Sequence, residues 1–450
     1  MRYADFFPSL AITANRALAR IALLIALPLM GCGGGTTTVP STPALNATIR
    51  LSEAATAPMK QPSLPAAWSV VGPGAVVVAN TGGNSILAYD PRTQNVTTVV
   101  GGLTQPTGVA FAPDGSLCAS LLGGRVVRID VASGAVKTVA QGGRLASLFD
   151  LVFDGADRLD VTNDIDPSNA EVTRITPSTA AQAKLTELGG LMPEGIAFSS
   201  VQGLLYVVSD RDRRLVAIDA ATGETRPVGF FASDPGDVDV AQNGDVWFSD
   251  LFRGVLIRVP IETGVEVEVS RDAAGLRGLA VDGDGTVVAQ NGTSLLRFGA
   301  DGSKTTLWSG SPLNAPQHLT VSPLLLLAVN DITAQVNADR VRVAGAFATR
   351  DAIDVASSAF TVQITGGPSW VVQAGALRVL GGGHYRCNGA AGDPSATVEI
   401  TKLGGNRYGL EVDGRKAGAF SVVGEVTVSL TVGTLPTASA RRAVRVLGGE

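Results

Sequence analysis

The side chains best suited to chemistry in this sequence occupy equivalent places in short stretches that recur along the chain. Glu194 lies in PEGIAF, Asp237 in PGDVDV and His318 in PQHLTV. Carboxylates and an imidazole gathered at one point could hold a divalent cation or move a proton near neutral pH. Whether these side chains meet depends on how the recurring stretches are arranged in space.

The stretches recur roughly every 40 residues, which is the signature of a repeat architecture. The copies are followed by turns such as PDG, QNG and DGDG, and then by further alternating segments such as LLYVVSD and RLVAID. Four short antiparallel strands cannot bury both faces alone, so the units must stack. Radial stacking predicts a closed β-propeller, whereas the rungs of a linear solenoid are usually much shorter. The copies begin at Pro65, Pro106, Leu148, Pro193, Pro235, Leu276 and Pro316.

The copies from Pro65 to Leu276 are interpreted as complete, while the one at Pro316 lacks its partner strands. That last copy either supplies a closing strand or begins a truncated seventh blade. The segments PEGIAF…GLLYVVSD…RLVAIDAATGE and PTGVAFAPDGS…GRVVRIDVASG resemble repeats of the NHL and SMP-30/gluconolactonase-like six-bladed propellers. The resemblance implies that the Pro-x-Gly strand is innermost, where glycine lets backbones converge near the axis. It specifies the fold far better than the function.

The resemblance to SMP-30-like enzymes implies a test for a metal site. In those enzymes acidic or amide side chains at the axial mouth bind one divalent cation, such as calcium, which activates water. At the matching middle position of Pro-x-Gly only Glu194 is a suitable ligand, and Arg277 would repel a cation. We therefore predict no catalytic residue, no metal site and no cofactor, with a divalent cation only under the alternative of a hydrolase.

The next position of the motif carries Asp150 and Asp237, whose carboxylates in NHL-like repeats often bond to nearby backbone. His318 is interpreted as a half-buried, hydrogen-bonded histidine rather than a base, because no glutamate is close to it in sequence. The streptogramin-lyase propellers, by contrast, use a histidine with nearby glutamates. The predicted ligand-binding residues are Thr107, Asp150, Glu194, Asp237, Arg277, Gln317 and His318.

The composition is that of a folded protein that avoids nucleic acid. The chain has 450 residues, 45% of them hydrophobic and 17% charged, with a formal net charge of −5. The charge and the lack of a basic stripe exclude a phosphate-binding surface of the nucleic-acid kind. Three widely spaced cysteines are too few for a disulfide framework or a metal motif.

The first 32 residues are predicted to be an export signal. Basic residues precede the apolar run IALLIALPL, which is too short to span a bilayer. The stretch Leu29-Met30-Gly31-Cys32 resembles the lipobox of bacterial lipoproteins, which implies lipidation of Cys32, and Gly33 favours the outer membrane. An ordinary signal peptide is the alternative.

Composition divides the remaining chain into three parts. Residues 33–63, rich in Gly, Thr, Pro and Ser, are predicted to be a flexible tether, and residues 64–323 the propeller. After Pro323 the repeat disappears, and alternating runs such as AFTVQI and TVEITKL separated by glycine turns predict a β-sandwich over 335–450. The fold class is therefore all-β, a six-bladed propeller followed by a C-terminal β-sandwich.

The sequence indicates a cell-envelope lipoprotein that acts as a binding or scaffolding module through its propeller. The partner is expected to be a small polar or anionic ligand or an envelope protein, with membrane contact through the lipid anchor only. The alternative is a metal-dependent, lactonase-like hydrolase at the axial mouth. The number of axial carboxylates decides between them, and the sequence offers few.

Overall fold

The computed structural model describes residues 66–447, apart from 155–157, 167, 210–212, 231–234, 272–274, 324, 336–339, 366, 392, 416–424 and 436. These residues form strands throughout, with short 3₁₀ turns at Ala66–Ser69 and Thr81–Gly83. The prediction of an all-β propeller built on a repeated four-strand unit is confirmed. None of the described helices has the length and hydrophobicity needed to cross a bilayer.

Six four-stranded sheets make up the repeated part of the described chain. In chain order the strands are β1 Val76–Asn80, β2 Ser85–Asp90, β3 Asn95–Gly101, β4 Pro106–Phe111, β5 Leu117–Leu121, β6 Arg125–Ile129, β7 Val136–Gln141, β8 Leu148–Phe153, β9 Leu159–Asp164, β10 Ala170–Thr176, β11 Ala181–Gly189, β12 Pro193–Ser199, β13 Leu204–Ser209, β14 Arg214–Asp219, β15 Thr225–Phe230, β16 Pro235–Val240, β17 Val246–Asp250, β18 Val255–Val259, β19 Val267–Ser270, β20 Gly278–Val281, β21 Val287–Gln290, β22 Ser294–Phe298, β23 Lys304–Ser309 and β24 Leu319–Val321.

Each sheet is an antiparallel meander, and its hairpins follow from the turn residues of the sequence. In the turn after β16, Gly244 has φ +91°, in the left-handed region that glycine adopts without strain. The turn closes with a hydrogen bond from the Gly244 N–H to the carbonyl oxygen of Ala241, at 2.8 Å. The first two strands of each sheet are largely buried and the fourth is largely exposed, as stacked blades require.

The ring closes by joining the two ends of the repeated segment in one sheet, whose order is β24-β1-β2-β3. Val76 pairs with Val321 and Val78 with Leu319. The copy at Pro316 therefore supplies the innermost strand of the first blade. The interpretation of PAAWSV as the inner strand of a complete first repeat is wrong, because Ala66–Ser69 is a 3₁₀ turn that precedes β1. A closing strand from the far end buries edges that would otherwise stay open.

The second part of the chain consists of a seven-stranded and a four-stranded sheet, with the orders β29-β30-β31-β32-β26-β25-β35 and β28-β27-β33-β34. The strands are β25 Leu325–Gln335, β26 Arg340–Thr349, β27 Phe360–Ile364, β28 Ser369–Val372, β29 Arg378–Gly381, β30 His384–Ala390, β31 Asp393–Gly404, β32 Arg407–Arg415, β33 Glu425–Val432, β34 Ala438–Ala443 and β35 Arg445–Leu447. One hydrophobic core joins both sheets, with Phe347 of β26 and Phe360 of β27 6.1 Å apart between ring centroids. This domain begins at Leu325, within the span that the sequence leaves unassigned between 323 and 335.

The two parts contact each other through Arg350, which follows β26. Its Nη1 lies 2.9 Å from Asp282 Oδ2 and its Nη2 3.0 Å from Asp284 Oδ2, in the turn after β20. The Arg407 Nη2 also donates to the carbonyl oxygen of Trp68, at 3.4 Å. The Asp282 side chain is fully buried, so its charge depends on the guanidinium groups of Arg350 and Arg297.

Candidate functional site

The six inner strands alternate between a glycine and a larger residue at one equivalent position. In ring order the residues are Gly108, Asp150, Gly195, Asp237, Gly278 and His318. A Cβ atom on Gly195 would lie 2.0 Å from Asp237 Oδ1, and one on Gly278 would lie 3.0 Å from His318 Cα. The glycines thus make room for the side chains of the adjacent blades, and alternate blades send one large side chain each toward the axis.

Asp150, Asp237 and His318 come together in a buried group, the axial cluster. The His318 Nδ1 lies 3.1 Å from Asp237 Oδ1 and 3.6 Å from Asp150 Oδ2. The exposed fractions of the three residues are 7%, 2% and 2%. His318 precedes the closing strand β24, while the two aspartates lie on β8 and β16. The cluster therefore connects the last inner strand to two other blades across the axis.

Each aspartate of the cluster also accepts a backbone N–H from the following blade. The Ile196 N–H donates to Asp150 Oδ2 at 3.2 Å, and the Leu279 N–H donates to Asp237 Oδ2 at 2.8 Å. Asp239 repeats the pattern, since its Oδ2 accepts the Val281 N–H at 2.7 Å. These contacts match the backbone-bonding role expected for Asp150 and Asp237, and the sequence reading missed Asp239.

The charges of the cluster set its protonation. Burial lowers the pKa of His318, but the carboxylates of Asp150 and Asp237 overcome this effect and raise the pKa to about 10. Burial raises the pKa of Asp150 to about 7 despite the nearby imidazolium, with a further upward contribution from Asp237. At neutral pH the raised pKa keeps His318 protonated beside the carboxyl groups of Asp150 and Asp237, so the cluster is a charged group in a low-dielectric interior.

A second set of hydrogen bonds, which was not predicted from the sequence, joins neighbouring inner strands. These bonds are made by hydroxyl groups near the end of the second strand of a blade. Thr162 Oγ1 accepts the Asp150 N–H at 2.8 Å and donates to the Glu194 carbonyl oxygen at 2.9 Å. Ser249 Oγ accepts the Asp237 N–H at 3.2 Å and donates to the Leu276 carbonyl oxygen at 3.0 Å. The sequence signal for these hydrogen bonds is the recurrent Ser or Thr near the end of these strands. The same residues also occur at strand ends as caps of the following turn, so the signal is not specific.

The other predicted site residues lie in two places, between two blades and at one end of the ring. Thr107 is buried, and its hydroxyl donates to the Leu148 carbonyl oxygen at 2.9 Å, so it lies in the wall between two blades. Glu194 and Gln317 are half-buried, and Arg277 is exposed. All three stand where an inner strand begins, at one end of the ring. We call Glu194, Arg277 and Gln317 the mouth residues.

The mouth lies at the opposite end of the inner strands from the second domain. Arg277 immediately precedes β20, whereas Asp282, which contacts Arg350 of the second domain, follows the far end of the same strand. The axial cluster lies one residue beyond the mouth positions, since His318 follows Gln317. Glu194 is close enough to the cluster for its charge to contribute to the raised pKa of His318. Mouth and cluster are therefore electrostatically coupled.

The axial cluster has the donor atoms of a metal site but little room for chemistry. A carboxylate oxygen of each aspartate and a ring nitrogen of His318 lie within 4.8 Å of one another, the one such group among the described residues. The buried Nδ1 is not aligned for a good hydrogen bond with either aspartate. The donor set would fit a divalent cation. One oxygen of Asp150 and both oxygens of Asp237 already accept a backbone N–H, and burial leaves a bound substrate little access.

Comparisons with known proteins support the fold. No family model matches the sequence, and no curated protein matches it significantly. A chain of the nidogen/laminin complex aligns with 55% of this chain and 98% of its own, at 13% identity and a TM-score of 0.50. Virginiamycin B lyase from Staphylococcus aureus aligns with 68% of this chain and 94% of its own, at 14% identity and a TM-score of 0.40. The first of these shows the propeller fold alone.

Both cysteines of the described residues are buried thiols. Cys118 lies on β5 and Cys387 on β30, and neither forms a disulfide. Cys387 Sγ donates to the Gly389 carbonyl oxygen at 3.2 Å. Cys32 lies outside the described residues, so its lipidation stays a prediction.

Proposed function

We propose that this protein is an exported, lipid-anchored module of the cell envelope, at the outer membrane, that binds a small polar or anionic ligand, or an acidic segment of an envelope protein, at the propeller mouth. The N-terminal sequence pattern ending at Cys32 supports the anchoring. The propeller fold supports binding, since such rings present loops and strand ends around one axis.

One observation carries the binding proposal: the exposed Arg277 stands at the mouth, in front of a buried cluster in which His318 Nδ1 lies 3.1 Å from Asp237 Oδ1 and 3.6 Å from Asp150 Oδ2. The two carboxyl groups raise the pKa of His318, which supports an internal ion group in the cluster rather than a site for the ligand. Recognition then falls to the mouth residues in front of the cluster, where Arg277 is exposed. A guanidinium presents paired donors that match a carboxylate.

Replacing Arg277 with alanine is expected to weaken binding of an anionic ligand by about 1.5 to 3 kcal/mol, the usual contribution of a charged hydrogen bond. The probe is a panel of small carboxylates, with gluconate first, titrated calorimetrically against the purified protein. Arg92→Ala, at an exposed turn of the first blade, serves as the matched control and should bind like wild type. Equal affinity of Arg277→Ala and wild type for a carboxylate that binds would contradict the proposal.

The anchoring part has its own test, because it concerns a different end of the chain. Metabolic labelling with an alkyne-bearing fatty acid is expected to mark the wild type, whereas Cys32→Ala should lose the label and leave the membrane fraction. Cys118→Ala is the matched control and should keep the label, because it retains Cys32 and removes only a buried thiol. Persistent labelling of Cys32→Ala would remove the lipoprotein assignment without affecting the binding proposal.

The second candidate function is a metal-dependent hydrolase of the lactonase kind. The observation in its favour is the set of three donor atoms within 4.8 Å, with the Nδ1 atom of His318 poorly aligned for hydrogen bonding. In this reading Asp150, Asp237 and His318 would hold the cation, which would supply Lewis-acid chemistry. Zinc or calcium that copurifies stoichiometrically with wild type and is lost in Asp237→Asn, together with lactone hydrolysis, would favour the enzyme.

A further inference from the structure

The hairpin formed by β29 and β30 exposes apolar side chains at the edge of the seven-stranded sheet. Val379 and Leu380 are 64% and 61% exposed, and all four residues of β29 are exposed. Neighbouring residues of a strand point to opposite faces, so neither face of this strand is covered. An uncovered edge strand with large apolar side chains is a surface that soluble proteins usually avoid.

Basic side chains surround this apolar tip. Arg378 and Arg386 occupy directly paired positions of β29 and β30, and Lys402 of β31 is exposed beside the turn. The Lys402 N–H donates to the Gly383 carbonyl oxygen at 2.8 Å, which fixes the turn against β31. Glu399, 3.5 Å from Arg386, is the acidic residue paired with this group. Apolar side chains bordered by cations are the pattern of segments that bind anionic lipid surfaces.

The turn between β29 and β30 consists of three glycines in a conformation that other residues rarely adopt. Gly381, Gly382 and Gly383 all have φ in the left-handed region, at +93°, +60° and +78°. Three consecutive residues in that region are accessible to glycine and strained for other residues. The three glycines therefore allow a tight turn next to Val379 and Leu380. His384 follows the turn, and its Nδ1 lies 3.1 Å from Thr401 Oγ1.

The hairpin turn lies at the end of the sheet where the described chain begins. The turn between β31 and β32 stands at the same end, and Arg407 just after it contacts Trp68, close to the first described residue. From β32 to β29 there are three strand spacings, about 14 Å. The segment from Cys32 to Pro65 is long enough to reach far beyond this distance, at up to roughly 3.5 Å per residue. A lipid at Cys32 would therefore allow the hairpin to meet the membrane that holds it.

We propose that the β29–β30 hairpin docks on an anionic phospholipid surface, with Val379 and Leu380 entering the headgroup region and Arg378, Arg386 and Lys402 contacting lipid phosphates. The choice of a membrane as the partner rests on the lipid-anchored placement proposed above. The contact departs from the expectation that the lipid anchor alone meets the membrane, because it gives the protein a second membrane signal beside the lipid at Cys32.

The test uses the chain from Gly33 onward, which contains every described strand and has no lipid attachment site. We expect it to cosediment with phosphatidylcholine vesicles that contain phosphatidylglycerol and to bind vesicles of phosphatidylcholine alone at least about fivefold more weakly. Val379→Ser/Leu380→Ser should reduce binding to the anionic vesicles by at least about tenfold. The matched control is Val265→Ser/Val267→Ser on the outer edge of a propeller blade, where the two valines are 54% and 43% exposed; it should bind like wild type.

Three results would overturn the inference. They are equal binding of the hairpin variant and the wild type, no binding of the wild type to anionic vesicles, and a wild-type dimer in light scattering that the hairpin variant no longer forms. The last would assign the edge to a second copy of the chain. Because the chain used in this test begins at Gly33 and lacks Cys32, none of these results depends on lipidation, and the labelling experiment can fail or succeed separately.

Discussion

Replacing His318 with glutamine is expected to lower the free energy of unfolding by about 3 to 5 kcal/mol, the usual cost of removing one partner from a buried ion group. The variant would leave Asp150 and Asp237 facing each other without the imidazolium, both nearly inaccessible to water. It would also release the closing segment before β24 from two other blades. Urea unfolding followed by tryptophan fluorescence measures the change.

The loss should depend on pH in a defined direction. The pKa of His318 is about 10 in the folded protein and 6.5 as its ordinary value, so the folded state binds the proton more tightly. This stabilisation is fully present below about pH 6.5 and is lost as the pH rises through about 10, at up to about 1.4 kcal/mol per pH unit. The difference between wild type and His318→Gln should therefore shrink across that window.

Other groups act in the same direction, so the comparison needs a control. Burial raises the pKa of Asp150 and of Asp239 to about 7, which lowers stability as the pH rises from about 4 to 7. The exposed His384 provides the matched variant: His384→Gln should change stability by less than about 0.5 kcal/mol at every pH. A His318→Gln variant as stable as wild type would show that the cluster does not hold the ring.

Replacing Gly195 with alanine is expected to cost about 2 to 3 kcal/mol, because the added methyl group overlaps a packed neighbour. The new Cβ would lie 2.0 Å from Asp237 Oδ1, the oxygen that faces His318. Asp237 would have to rotate away from the histidine or the inner strands would have to separate. Thermal and urea unfolding should both register the loss.

Two further variants isolate the cause. Gly101→Ala is the matched control, since no atom lies within 4 Å of a Cβ at that glycine, and its effect should be small. In an Asp237→Gly background the Gly195→Ala change should cost at least about 1 kcal/mol less, because the overlapping carboxylate is gone. Additive effects of the two substitutions would contradict the alternation of glycine and large residue around the axis.

The sequence predicted the repeated sheet well because each repeat carries its own local signals. The Asn-Gly and Asp-Gly turns and the alternating strands determine a hairpin within a few residues of one another, as in the turn at Gly244. Ring closure was open to two readings, since pairing Val76 with Val321 depends on contacts distant in sequence. The copy at Pro65 was misread because AAWS resembles a strand in hydrophobicity, and nothing local distinguishes it from one.

The residues of the candidate site were predicted from the sequence, but their arrangement in space was not. All three residues of the axial cluster were candidates, yet the alternation with Gly108, Gly195 and Gly278 was obscured by the false first copy. The raised pKa of His318 could not be derived from sequence, because it depends on the distance to carboxylates on two other blades. Surface features such as the β29–β30 hairpin were equally hidden, since exposure of Val379 is a property of the sheet order.

The most direct test of the account is the protonation state of His318 itself. The chain contains two histidines, so ¹⁵N-histidine labelling gives two sets of imidazole signals, and His384→Gln assigns them. We expect the His318 signal to remain that of an imidazolium up to about pH 9 and to stay unchanged when zinc or calcium is added. A His318 signal that titrates near pH 6.5, or that takes on the shift of a metal-bound nitrogen when zinc is added, would contradict the internal ion cluster and favour the metal-dependent enzyme.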